Sequence, residues 1–141
     1  MQPSADIGAR RGLAGLTGPV ASVAAAAVAV AVLAVVDPNQ PGHYPTCPFF
    51  AVTGHWCPGC GTLRAIHALT RGDVAAAAGL NVLFLASLPV LAVIWLRWVR
   101  RSWSGAPRAQ PAPAALIWAL AVGVLLFGVI RNLPFGSALA P

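Results

Sequence analysis

The chain has no glutamate, no lysine and, outside one fourteen-residue stretch, no cysteine. Its three acids, Asp6, Asp37 and Asp73, stand far apart, so no paired carboxylates exist for general acid–base chemistry. No serine sits beside a base, and no glycine-rich loop is built to cradle phosphate. No alternation of strand and helix patterns surrounds the cysteines, which excludes a thioredoxin fold. Charge of any sign is scarce: 9% of 141 residues, against about 25% in a typical soluble domain. These absences set aside a conventional hydrolase. A transporter is set aside too, because no intramembrane charge of the kind that marks proton or ion pathways is present.

What is present is apolar, at 58% of residues. From Gly12 to Val36 no residue is ionisable, and Val74 to Leu96 and Gln110 to Ile130 are likewise uncharged. A helix needs roughly 20 apolar residues to cross about 30 Å of hydrocarbon. Buried helices of a soluble protein would need polar faces, and these stretches have none. Arg10-Arg11 ahead of the first run resembles a signal peptide or a twin-arginine leader. Its apolar core of roughly 17 to 24 residues exceeds the usual 7 to 15, so it reads as an uncleaved anchor.

The reading is an all-α membrane protein forming a single polytopic domain over 1–141. Three transmembrane helices are expected near 13–36, 79–98 and 113–131. A cysteine-containing outer loop and a short interfacial helix fill 37–78. Asp37-Pro38-Asn39-Gln40-Pro41-Gly42 stops the first helix, and 43–61 reads as irregular. From Thr62 a short amphipathic helix is expected. Asp73 suits an N-cap, and Asn81 suits a cap for the second span. Pro89 lies within that span. Ala24–Ala27, Ala75–Ala78, Gly123 and Gly128 are small residues that permit close helix approach.

Arginine sets the orientation. Arg10, Arg11, Arg97, Arg100, Arg101 and Arg108 fall on one side of a three-span chain, and Arg64, Arg71 and Arg131 on the other. The positive-inside rule places the N-terminus in the cytoplasm and the cysteine loop and C-terminus outside. The net charge of +6 therefore reads as topology and lipid contact, not nucleic-acid binding. Arg97, Arg100 and Arg101 beside Trp95 and Trp98 read as an interfacial anchor on the lipid bilayer.

Cys47-Pro48-Phe49-Phe50-Ala51-Val52-Thr53-Gly54 is followed by Cys57-Pro58-Gly59-Cys60-Gly61-Thr62-Leu63-Arg64-Ala65, and then by Gly72-Asp73 and Asn81. This pattern, over about residues 43 to 96, closely resembles the domain of unknown function 2752 family. The resemblance implies a small bacterial membrane protein in which the three cysteines and Arg64 belong to one pattern. The chain departs from the family at Val82, where a proline usually follows the asparagine. His55 and His67 fall on no motif position.

Three chemistries fit the cysteines. Cys47 paired with Cys57 or Cys60 would close a loop of about a dozen residues and stabilise it by on the order of 3 kcal/mol in the chain-entropy model. Alternatively Cys47, Cys57 and Cys60 ligate zinc or another thiophilic metal, with His55, His43 or His67 as fourth ligand and Pro58, Gly59 and Gly61 shaping the turn. The third is a redox dithiol at Cys57 and Cys60, near a helix start that favours thiolate, with Arg64 one turn beyond. Two functions follow. One is a non-enzymatic accessory subunit held among other membrane subunits, a respiratory assembly being one host. The other is a small thiol redox or metal-handling protein.

Overall fold

The computed structural model describes residues 12–107 and 111–141. Arg10, Arg11 and Arg108, half of the arginines counted for the cytoplasmic side, lie outside the described residues.

A 3₁₀ turn over Gly12–Leu16 leads into α1, Thr17–Val35. The rest of the order is α2 (Pro48–Thr53), α3 (Thr62–Thr70), α4 (Val74–Ser104), α5 (Ala114–Ile130) and a closing 3₁₀ helix at Pro134–Leu139. No strand occurs among the described residues. The short helix predicted from Thr62 is present as α3. Its cap residue Gly61 adopts φ +86°, a left-handed conformation suited to glycine.

Two parts of the chain differ from expectation. The stretch 43–61 is not wholly irregular, because Pro48 at the first helical position starts α2 and Gly54 ends it in a left-handed cap. The second long helix also runs from Val74 to Ser104, beyond the expected 79–98 at both ends. It is two helices joined at one residue: Asn81 has φ −161° and ψ 88°. Asp73 Oδ1 accepts from the Ala76 amide at 2.8 Å, and Asn81 Oδ1 from the Phe84 amide at 3.0 Å. Both are N-caps, so the chain starts a helix, breaks it and starts it again within eight residues.

Small side chains let α3 lie directly on the first part of α4. Ala65, Ala68 and Ala77 are buried there, and Leu69, Leu80 and Phe84 pack around them. His67 fastens α3 to the end of α1. Its Nδ1 lies 2.7 Å from the Leu33 carbonyl, one of the helix-terminal oxygens that lack an intrahelical donor. Asp37 Oδ1 sits 3.7 Å from His67 Nε2 and also accepts from the Asn39 backbone at 2.8 Å. The Asn39 amide is the main reason the Asp37 carboxyl is held below its ordinary value.

At the other end of the pair, Trp95 Nε1 donates to Ser22 Oγ at 3.3 Å. A Cβ on Gly18 would approach the Trp98 ring to 2.9 Å. Both tryptophans expected at the lipid interface therefore also touch α1. Arg97, Arg100 and Arg101 are exposed, and lie at the end of the pair remote from the cysteines.

The segments Gly12–Val35 and Val74–Ser104 are long and apolar enough to cross a membrane, and only 11% of an apolar 18-residue stretch in each is buried by the rest of the chain. A core helix of a soluble protein would be mostly covered. These are bare, with Val20, Val28, Leu91 and Ile94 all more than half exposed. Helix α5, at 17 residues, is shorter and apolar on every face.

Candidate functional site

The cysteines meet between the break in α4 at Asn81 and the residues that end α5. In the Cys57–Cys60 turn the Cys60 amide donates to the Cys57 carbonyl at 3.0 Å, and the Cys57 amide points at Cys60 Sγ, 3.3 Å away. Cys57 Sγ lies 2.8 Å from Cys60 Sγ and 3.5 Å from Cys47 Sγ. All three sulfurs fall within 4.8 Å of one another, and no disulfide joins them. Three soft donors in that volume could hold one metal ion.

The turn is fixed by side chains remote in sequence. Asn81 Nδ2 donates to the carbonyls of Pro58 (3.0 Å) and Cys60 (3.3 Å) and to Thr62 Oγ1 (3.1 Å). Asn132 pairs with the backbone of Trp56 as a second peptide would, accepting from its amide and donating to its carbonyl, both at 2.8 Å. Arg131 Nη1 donates to the carbonyls of Cys57 at 2.9 Å and Cys60 at 3.2 Å. The absence of a side chain at two glycines makes room. A Cβ at Gly61 would collide with the Leu80 carbonyl, and one at Gly128 would come within 2.8 Å of the Pro58 ring. Gly128 thus admits the loop, not another helix. Gly123 has no neighbour within 4 Å.

Arg131 has 1% of its surface exposed. It stacks over Phe127 at 5.0 Å. Its Nε and Nη2 are buried without a hydrogen-bond partner, and it makes no ion pair among the described residues. Neither Arg131 nor Asn132 was singled out as a site residue from the sequence. An arginine directly after an uncharged helix reads as a topology signal, and only the fold turns it inward.

A cleft of about 530 Å³ opens over the sulfurs, walled by the turn at Pro38–Thr46 and by Phe50, Trp56 and Arg64. Phe50 and Trp56 stack there with centroids 4.1 Å apart. The phenylalanine amides and neighbouring thiols make the cysteines unequal. Cys47, partly exposed, is held below the ordinary thiol value, chiefly by the Phe50 amide. Burial pushes the Cys60 thiol up to about 12. Arg64 borders the cleft, half-buried. His55 is exposed, with Nδ1 2.7 Å from the Thr53 carbonyl, and lies outside the group of converging ligand atoms.

Neither the curated proteins nor the solved structures contain a match to the chain. Residues 47–95, from the first cysteine to Trp95 of α4, match the model of a family described as protein of unknown function (DUF2752), the family that the sequence resembles.

Proposed function

We propose that this protein crosses a bacterial inner membrane three times, N-terminus cytoplasmic and C-terminus outside, and serves there as a non-enzymatic accessory subunit of a larger membrane complex. The observation that carries the reading is a contrast. The cysteine loop is fastened by side chains from two helices, whereas the long helices below it are left bare. A rigid knob on helices with uncovered apolar flanks suits docking, and Ala24–Ala27 and Gly123 offer close-packing faces to partner helices. The 17 residues of α5 extend about 26 Å, near the hydrocarbon thickness, which supports a third crossing. Arg97, Arg100 and Arg101 at the end opposite the cysteines support the orientation. A thiophilic ion such as zinc, bound by Cys47, Cys57 and Cys60, is the cofactor that suits the knob.

One observation favours the thiol redox reading instead: Cys47 lies 3.5 Å from Cys57, placing a third sulfur beside the Cys57–Cys60 pair. Mild-detergent purification decides between them. Recovery with a larger assembly supports the subunit. A free monomer with dithiol turnover that Cys60→Ser abolishes overturns it.

A further inference from the structure

A buried arginine needs an anion. Arg131 is nearly inaccessible, contacts no carboxylate among the described residues, and uses only one of its three guanidinium nitrogens in hydrogen bonds. The groups it reaches are the carbonyls of Cys57 and Cys60, so its positive charge lies against the cysteine cluster. A disulfide there would be neutral and would leave the guanidinium uncompensated in a low-dielectric site. Three neutral thiols would do the same. Three thiolates around a divalent ion carry one surplus negative charge, which a single guanidinium cancels.

We propose that Cys47, Cys57 and Cys60 bind one divalent thiophilic cation as thiolates, with Arg131 as the buried counter-charge and the fourth coordination position open to the cleft. The inference rests on the cysteine knob described above and specifies its chemistry. Binding displaces the proton of each cysteine still in its thiol form, and three thiolates with a divalent ion leave a centre of net charge −1. Tetrahedral ions that have three protein ligands take a fourth from outside. Here His55 is turned to Thr53, and the cleft wall contains all three cysteines. The fourth ligand is therefore a small exogenous donor, water in the simplest case. Arg131 acts as a positioning residue: it touches the loop carbonyls and sets the charge that the site tolerates.

Cobalt(II) titration of the reduced full-length protein in mild detergent tests this. Saturation at one equivalent is expected, with thiolate charge-transfer absorption and a shift of the visible bands on adding azide. Serine at any of the three cysteines should remove the absorption. Arg131→Gln, which keeps an amide donor but no charge, should weaken cobalt binding by about 10- to 100-fold with helix content unchanged. Arg131→Lys should restore most of the loss. Arg131→Gln binding as tightly as the parent overturns the counter-charge, and thiolate absorption that survives serine at any one of the three cysteines overturns the three-thiolate centre. Visible bands indifferent to azide overturn the open position. Co-purification with a larger assembly is read separately, in the parent. A parent that stays in the assembly without binding cobalt refutes the ion site alone, whereas a monomer that binds cobalt refutes the subunit reading alone.

Discussion

Asn81 holds two structures together with one amide, and replacing it separates them. Asn81→Ala removes the oxygen that caps the Phe84 amide, worth about 1 kcal/mol at a helix N-terminus. It also removes the nitrogen that serves Pro58, Cys60 and Thr62. The Cys60 carbonyl keeps Arg131, but the Pro58 carbonyl retains only a marginal contact at 3.5 Å. A buried acceptor left in that state costs about 1–3 kcal/mol. The cap loss falls on the α4 start, and the acceptor loss of about 1–3 kcal/mol falls on the loop, a roughly 5- to 140-fold shift of the Cys57–Cys60 turn towards open forms. Asn81→Asp is the sharper variant. It keeps the cap on Phe84 but turns a carboxylate oxygen towards three oxygens, so the turn should open while the α4 start stays protected. Amide hydrogen exchange in detergent reads both sites at once. In Asn81→Ala, exchange should accelerate at residues 56–62 and at Phe84. In Asn81→Asp it should accelerate only at 56–62. Unchanged protection of 56–62 in both variants would refute the assignment of Asn81 as the fastener.

Two further outcomes are expected. In the reduced, metal-free protein near neutral pH, alkylation followed by mass spectrometry should modify Cys47 first and Cys60 last. The Phe50 amide favours the Cys47 thiolate, while Cys60 is buried with its thiol at about 12. Reaction at Cys60 should become competitive only as pH rises towards that value, and equal rates at neutral pH would contradict the burial. With a membrane-impermeant thiol reagent on intact cells, Ser137→Cys should label and Ser104→Cys should not, and the reverse pattern would invert the proposed orientation.

The parts legible in the sequence are those fixed by neighbours along the chain. Asp73 and Asn81 could be read as caps because a cap bonds three residues ahead. The apolar lengths of α1 and α4 and the two-residue gap between Cys57 and Cys60 are local in the same sense. The short α2 was missed because its proline, phenylalanines and β-branched residues carry weak helix propensity, and Pro48 at its first position is what starts it. The extension of α4 past Trp98 was missed because charges there signal the end of a hydrophobic span, not the end of a helix. The roles of His67, Arg131 and Asn132 depend on partners 34, 74 and 76 residues away, and no periodicity reports such pairs.

That separation has a consequence for how the molecule is made. The cysteine turn leaves the ribosome 74 residues before the arginine that fastens it. At about 5–20 residues per second, the delay is roughly 4–15 s. Asn81 follows Pro58 by 23 residues, and from then until Arg131 emerges the turn lacks the arginine and Asn132, so it is held from one side only. Completion waits for α5 to be made, so a chain truncated before Arg131 would leave the site unfinished however well the first two long helices had folded.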